Sequence, residues 1–381
     1  MEASATDGAG EHPDREADST PPSDRPARPV LVTGAFGLVG SAVVRRLADE
    51  GIPVVATDLD TPANRRTGAG LPRGVQVRWA DLTISSAVQT LLQSVRPVAI
   101  IHLAAVIPPV CYQHRGLARA VNVGATATLL EVAAALAEPP RFVQASSIAV
   151  YGARNPHRGD ELLTAETPRA PSDIYGAHKV EAEDLVRNSS LEWVILRLGG
   201  VLSVEPMPSP STDLLAFEAA IPADGKLQTV DVRDVAAAMV AATSTPHTGE
   251  VFLIGGDESH RLRQSDIGSS VAAASGMPGV IPEGLPGDPD RDDAWFATDW
   301  MDTEYSQKIL QFQHHSFPGM LDEIRARTAT MHRLGFLTGP LTPAARWFLR
   351  RLSPYRGSGR SYADPWTVIT ERLGDTAPDR P

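Results

Sequence analysis

The chain has 381 residues, a formal net charge of −11 and 42% hydrophobic residues, enough for two compact units. Its acidic balance excludes the clustered positive charge of a nucleic-acid binder. The single cysteine, Cys111, excludes an intrachain disulfide framework, and no Cys or His cluster has the spacing of a metal site. Neither a signal-peptide apolar region nor a membrane-spanning run is present in the sequence, so we expect a cytoplasmic protein.

Alternating strand-like and helix-like segments dominate the first half of the chain. Residues 1–28 are rich in Asp, Glu, Pro, Ser and Gly, which predicts a disordered tail. From residue 29 to about residue 200, the alternation predicts an α/β fold with a doubly wound parallel sheet. The predicted strands are 30–32, 53–58, 75–79, 98–103, 141–145 and 193–197, and the predicted helices are 41–50, 85–93, 118–137 and 174–187.

This rhythm weakens in the second half. Residues 201–325 predict a smaller substrate-binding part, partly interleaved with the sheet, with helices at 214–220, 230–242 and 265–274 and a strand at 251–254. Residues 326–381 form a C-terminal extension. Its segment 346–352 is basic and aromatic, a pattern that suits either a membrane surface or packing on the protein body. The short length of that segment favours packing.

A glycine-rich turn separates the first strand from the first helix. Its spacing is Gly34-x-x-Gly37-x-x-Gly40, which suits a tight turn, a close approach to a diphosphate and close helix packing. The phosphates would lie at the positive end of the helix. We therefore predict a dinucleotide cofactor bound by Gly34, Phe36, Gly37, Leu38, Val39 and Gly40.

Two acidic residues follow the next two strands. Asp58 ends the second strand, where a carboxylate can bind the 2′-hydroxyl of the adenosine ribose and repel a 2′-phosphate. This position favours NAD over NADP, although Arg65 and Arg66 nearby weaken the preference. Asp81 and Leu82 follow the third strand and either contact the adenine or, for Asp81, cap the next helix.

Tyr175 and Lys179 lie four residues apart in a predicted helix and therefore share one face. A free tyrosine has a pKa of about 10, and a nearby ammonium favours the phenolate. We expect Lys179 to lower the pKa of Tyr175, so that the phenol exchanges a proton with a substrate hydroxyl. Ser146 and Ser147 end a strand at the carboxyl edge of the sheet, where a hydroxyl can either stabilise the charge on the reacting oxygen or cap a turn.

Together these motifs resemble the extended short-chain dehydrogenases, the NAD-dependent epimerase/dehydratase family, over residues 30–317. The resemblance implies NAD as cofactor and Ser147, Tyr175 and Lys179 as catalytic residues. It also adds the fourth-strand motif Leu103, Ala104 and Ala105, Asn122 on the following helix, and further cofactor contacts by Tyr175 and Lys179. The family's usual homodimer through its two long helices is a further implication.

Two features bear on the substrate that the resemblance implies. Residues 200–230 contain no Asn or Arg, and residues 106–112 are largely apolar, both unusual for a nucleotide-sugar enzyme. The main expectation is epimerase-like hydride transfer on a secondary hydroxyl of a nucleotide sugar. An NAD-dependent alcohol or sterol-type dehydrogenase acting on a less polar alcohol or ketone is the alternative. A non-catalytic NAD-binding regulator is a third reading, which the retained Tyr175 and Lys179 disfavour.

Overall fold

A seven-stranded parallel sheet forms the body of the protein in the computed structural model, which describes residues 28–205, 211–329 and 341–379. Its strand order is β3-β2-β1-β4-β5-β6-β9, and a second sheet has the order β10-β8-β7. The strands are β1 Val30–Thr33, β2 Val54–Asp58, β3 Gln76–Trp79, β4 Ala99–His102, β5 Arg141–Ser147, β6 Trp193–Leu198, β7 Gly200–Leu202, β8 Lys226–Asp231, β9 Glu250–Ile254 and β10 Arg261–Arg263.

Helices cover both faces of the main sheet. They are α1 Leu38–Asp49, α2 Pro62–Ala69, α3 Ser85–Val95, α4 Val110–Gln113, α5 Arg115–Arg119, α6 Ala125–Ala134, α7 Ile174–Arg187, α8 Thr212–Glu218, α9 Val232–Ala242, α10 Gln264–Ala274, α11 Glu304–Leu310, α12 Phe317–Arg327, α13 Leu341–Leu352 and α14 Pro365–Leu373. The predicted doubly wound α/β fold is confirmed. The long helix predicted over 118–137 is helical from Arg115 to Ala134, with a π-helical turn, Ala120–Gly124, between α5 and α6.

Both faces of the sheet are apolar because helices bury both of them. On one face, Val43 and Leu47 of α1 meet Val235 and Met239 of α9. On the other face, Leu92 of α3 belongs to a core cluster that also contains residues of α6 and α7. The strand order reverses between β1 and β4, which pair with each other in parallel and leave a crevice at their carboxyl ends.

The region after β6 is interleaved with the main sheet. β7 and β8 pair in parallel and β10 joins β8 antiparallel, whereas β9 returns to the main sheet beside β6. The helix predicted at 230–242 begins two residues later, because Asp231 ends β8 and its carboxylate accepts a hydrogen bond from Arg233 N at 2.8 Å. The tail predicted over residues 1–28 lies almost wholly outside the described residues.

The C-terminal extension packs partly on the body. The buried side chains of Val368, Ile369 and Leu373 in α14 join a cluster with α4 and the first residue of α7. In α13, Trp347 and Phe348 are 58% and 48% exposed, so the expected packing of that tryptophan on the body is wrong. No helix in the described ranges is long and apolar enough to cross a membrane.

Candidate active site

The glycine turn lies at the carboxyl end of β1. Gly34 has a φ of +62°, and a Cβ there would approach Ala104 N at 2.7 Å. A Cβ at Gly40 would overlap the carbonyl oxygen of Gly34, whereas one at Gly37 would meet only that oxygen, at 3.4 Å. Packing within the protein therefore requires glycine at Gly34 and Gly40, but leaves open space in front of Gly37.

This open space adjoins the start of α1. The helix begins at Leu38 directly after Gly37, and no side chain caps its first turn. Its leading N–H groups can therefore bind an anion such as a diphosphate. The backbone and the free space at this turn fit the dinucleotide that the motif predicts, and the contacts of the individual residues stay predictions.

Asp58 stands beside the same turn. Its carboxylate accepts hydrogen bonds from Phe36 N at 3.3 Å and from Leu59 N at 2.8 Å. Arg65 is engaged elsewhere, since it donates to the carboxylate of Asp60 at 2.7 Å. Its guanidinium is therefore less available to a 2′-phosphate, which favours NAD at this edge.

The residues after β3 have local partners. Asp81 accepts hydrogen bonds from the backbone N and the hydroxyl of Thr83, at 2.9 and 2.6 Å, in the turn that leads into α3. Leu82 is buried in the core beneath α3 and can reach an adenine only through its backbone. Both adenine contacts stay predictions.

The loop after β4 is held on two sides. Leu103 N donates to the hydroxyl of Thr33 at 3.2 Å, which ties the loop to β1. Asn122, in the π-helical turn, accepts from Val106 N at 2.7 Å and donates to Val106 O at 2.9 Å. The side chain of Asn122 therefore positions the loop that carries Ala104 and Ala105, and its direct contact with a cofactor stays a prediction.

Ser147, Tyr175 and Lys179 come together at the carboxyl edge of β5. Asp173 caps α7 by accepting a hydrogen bond from Gly176 N at 2.9 Å, which fixes the first turn that carries Tyr175. The hydroxyl of Ser147 accepts a hydrogen bond from Ala149 N at 3.2 Å and lies close enough to Tyr175 to lower the pKa of its phenol. The ammonium of Lys179 lies 5.7 Å from the centre of the tyrosine ring.

The predicted effect of Lys179 on its neighbour is wrong for the protein alone. Burial raises the pKa of Tyr175, and the nearby hydroxyl of Ser147 only partly offsets this effect. Lys179 donates instead to the carbonyl of Ala145 at 2.8 Å. Burial in turn lowers the pKa of Lys179 to about 8, opposed by the charge of Glu183.

A buried ionic network behind Ser147, Tyr175 and Lys179 could not be predicted from the sequence. Arg197 of β6 donates to both carboxylate oxygens of Glu183, at 2.8 and 2.7 Å, and Ser146 donates to the same carboxylate at 2.6 Å. Burial alone would raise the pKa of Glu183, but the hydrogen bonds from Arg197 and Ser146 outweigh it and hold that pKa below its usual value. The network joins the end of β5 to α7.

An apolar wall that packs against Tyr175 was not predicted either. It consists of side chains from α4, α8 and the C-terminal extension, namely Cys111, Tyr112, Phe217, Tyr355 and Ile369. The chain after α14 then runs past α7 and α5. Ile174 N of α7 donates to Thr376 O at 2.8 Å, and Arg115 of α5 donates to Asp379 at 2.7 Å. Only the run of apolar residues at 106–112 signalled part of this wall in advance.

The fold and this site define a dinucleotide-binding protein of the short-chain dehydrogenase type. The chain belongs to the NAD dependent epimerase/dehydratase family, whose model matches residues 30–255, more than half of the chain. The predicted family is thereby confirmed, and NAD, the predicted cofactor, is the cofactor of that family.

Known proteins similar to this chain include sugar-nucleotide enzymes. The UDP-glucose 4-epimerase of Azospirillum brasilense is 32% identical over 188 residues, which are 46% of this chain and 50% of that protein. Methionine adenosyltransferase 2 subunit beta of Rattus norvegicus is 32% identical over 174 residues, 45% of this chain and 47% of that protein. The chain therefore matches about half the length of these curated relatives.

Similarity to solved structures extends further along the chain. The structure of UDP-glucose 4-epimerase from Thermus thermophilus in complex with NAD has a TM-score of 0.63 and 24% identity. The match covers 78% of this chain and 98% of that protein. At this identity the comparison establishes the shared fold.

Proposed function

We propose that the protein is an NAD-dependent oxidoreductase with epimerase-like hydride transfer on a secondary hydroxyl, in which Tyr175 is the general base. The observation that carries the proposal is the convergence of Ser147, Tyr175 and Lys179, with the Lys179 ammonium 5.7 Å from the centre of the Tyr175 ring. This group lies at the carboxyl edge of the sheet that also carries the glycine turn, where open α/β folds bind ligands.

Each side chain has a distinct task in the proposed reaction. NAD, when bound, supplies a hydride acceptor and donor and places a positive charge near the phenol. Tyr175 removes the proton of the substrate hydroxyl and returns it at the end of the cycle. Ser147 donates a hydrogen bond to the reacting oxygen, and Lys179 would donate a hydrogen bond to the ribose of the cofactor.

Two substrate classes have separate support. Relatives named as UDP-glucose 4-epimerases support a nucleotide sugar, and epimerisation is the leading proposal. The apolar wall beside Tyr175, with Cys111 and Phe217, supports the second candidate, an NAD-dependent dehydrogenase for a less polar alcohol or ketone. An epimerase returns the hydride and accumulates no NADH, whereas a dehydrogenase does accumulate it.

Turnover of the purified protein tests both candidates. Nucleotide sugars, sterols and small secondary alcohols are incubated with NAD, and the products are followed by chromatography together with absorbance at 340 nm. We expect Tyr175→Phe to reduce turnover by about 10²–10⁴-fold while NAD binding persists. Tyr305→Phe, which changes an exposed tyrosine on α11, is the matched control. Full activity of Tyr175→Phe would refute the proposed base.

If the protein binds NAD but turns over none of these substrates, the result would favour the non-catalytic NAD-binding regulator instead. A cytoplasmic location and a homodimer through α5, α6 and α7 also belong to the proposal. Part of that helical face is covered by the protein's own chain, because Asp379 pairs with Arg115, Arg119 and His178. Size-exclusion chromatography with light scattering tests the homodimer.

A further inference from the structure

Residues 341–363 have an unusual charge for this protein. The whole chain carries a net charge of −11, yet this stretch holds five arginines and neither Asp nor Glu. The arginines are Arg346, Arg350, Arg351, Arg356 and Arg360. A strongly basic segment within an acidic chain creates a local field that attracts an anionic surface, while the rest of the protein is repelled.

Most of these arginines have no acidic partner. Within the described ranges, an ion pair is found for Arg360, which donates to Asp364 at 2.8 Å, but none for Arg346, Arg350, Arg351 or Arg356. Arginines elsewhere commonly pair with acids, as Arg233 does with Asp231. The positive charge of α13 is therefore not neutralised within this part of the protein.

Exposed aromatic side chains gather in the same segment. Four Phe, Trp or Tyr side chains of the described residues are more than a third exposed, and three of them are Trp347, Phe348 and Tyr362. The guanidinium of Arg351 lies 4.7 Å from the centre of the Trp347 ring, one helical turn away. Bulky aromatic rings and arginines thus share the outer face of α13.

The body holds this face outward. Leu349 and Leu352, on the opposite side of α13, are half-buried. Just beyond the helix, the hydroxyl of buried Tyr355 donates to Ala220 O at 2.6 Å and accepts from Asp364 N at 3.0 Å. A short helix fixed in this way presents its aromatic and basic face without having to fold on binding.

We propose that the outer face of α13, formed by Trp347, Phe348, Arg350 and Arg351, docks onto an anionic lipid surface. Aromatic rings enter the boundary between headgroups and acyl chains, and arginines bind the anionic headgroups. Tyr355 belongs to the same apolar cluster as Tyr175, so a docked protein would hold its apolar wall close to the bilayer. The proposal concerns a surface contact, and it holds whether or not the proposed reaction is correct.

Cosedimentation of the full chain with vesicles tests the docking. We expect binding to phosphatidylcholine vesicles containing about a third phosphatidylglycerol, and at least tenfold weaker binding to pure phosphatidylcholine or at high salt. Arg350→Glu with Arg351→Glu, and separately Trp347→Ser with Phe348→Ser, should each reduce binding about tenfold or more. Arg73→Glu with Arg78→Glu, which changes two exposed arginines distant in sequence from α13, is the matched control and should retain binding.

Several results would overturn the docking. These are no binding to anionic vesicles, equal loss in the control variant, preference for duplex DNA over vesicles, or self-association that the Trp347 and Phe348 changes abolish without lipid. If a variant unfolds, its binding experiment is replaced by one on the wild type, in which brominated anionic lipid should quench the tryptophan fluorescence. Absence of quenching in that experiment counts against the proposal.

Discussion

The two sides of the candidate site consist of different chemical groups. The cofactor side consists of backbone and glycine, with Gly34 and Gly40 packed so tightly that a Cβ would collide with neighbouring backbone. The catalytic side consists of buried charged groups, because Lys179, Glu183 and Arg197 are each at most 5% exposed. Steric fit determines the structure of the cofactor side, whereas the pairing of buried charges determines the structure of the catalytic side.

This difference determines how each side responds to mutation. A substitution at the glycine turn changes the space available to the protein or to its ligand. A substitution of Glu183 or Arg197 leaves a buried charge without its partner, and the resulting penalty is larger than the loss of one contact. The catalytic side should therefore be the more fragile of the two.

Breaking the buried ion pair is expected to have the largest effect. Glu183→Ala leaves Arg197 buried without its partner and should lower the free energy of unfolding by about 3–5 kcal/mol. Glu192→Ala, which breaks the more exposed pair with Arg141, should cost at most about 1 kcal/mol. Urea unfolding of both variants measures the difference. Equal losses would show that burial does not set the strength of the Glu183 pair.

The glycines of the turn offer a sharper comparison within the cofactor side. Gly40→Ala forces a Cβ against the Gly34 carbonyl and should destabilise the fold by about 1–3 kcal/mol. Gly37→Ala has room for its Cβ and should change stability by no more than about 0.5 kcal/mol. Its added methyl group would nevertheless weaken NAD binding, by about tenfold or more. Thermal unfolding and calorimetric titration separate the two effects, and unchanged affinity in Gly37→Ala would remove the diphosphate from that space.

The lowered pKa of Lys179 should make the free energy of unfolding depend on pH. Its pKa falls from 10.5 to about 8 on folding, so below pH 8 both states are protonated and the buried cation carries its full penalty, about 3 kcal/mol. Between pH 8 and 10.5 the unfolded state binds more protons, and this contribution makes stability rise with pH. At pH 7 the Lys179→Met variant should therefore be more stable than the wild type. The loss of the hydrogen bond to Ala145 reduces this gain in stability. We also expect the variant to be inactive. The wild type should close that gap towards pH 10 in urea unfolding, and a constant gap would contradict the shifted pKa.

Cofactor selectivity should show the smallest effect. Asp58→Ala removes the carboxylate that would repel a 2′-phosphate, so the preference for NAD over NADP should fall about tenfold, or about 1.4 kcal/mol. Asp49→Ala, at an exposed position near the end of α1, should leave the preference unchanged. Fluorescence titration with both cofactors provides the measurement. Unaltered selectivity in Asp58→Ala would exclude Asp58 from the ribose contact.

The sequence predicted the packing of the glycine turn better than the surroundings of Tyr175 and Lys179. A glycine spacing reports steric requirements that depend on a few neighbouring residues, and a Tyr and a Lys four residues apart must share a helical face. By contrast, Glu183 meets Arg197 only because β6 lies beside β5 and α7 crosses behind them. The local spacing also gave no measure of how deeply Tyr175 is buried, and this burial raises the pKa that the sequence predicted to fall.

The second sheet and the apolar wall were harder to predict from the sequence. β7 and β10 have three residues each, too few to show a period, and β8 merges in sequence with the helix that follows it. The wall joins α4, α8 and α14, which are far apart along the chain, and its apolar residues resemble those of ordinary core helices. Only tertiary packing shows that these segments meet beside Tyr175.

The hydrogen bond between Ile174 N and Thr376 O has a consequence for synthesis. The catalytic helix emerges from the ribosome long before the segment that closes over it, since His178 and its partner Asp379 are 201 residues apart. Until that later segment is translated, the first turn of α7 and its apolar neighbours remain open to water and to chaperones. A tag or fusion attached shortly after residue 379 would crowd the same corner, so an affinity handle is better placed before residue 28.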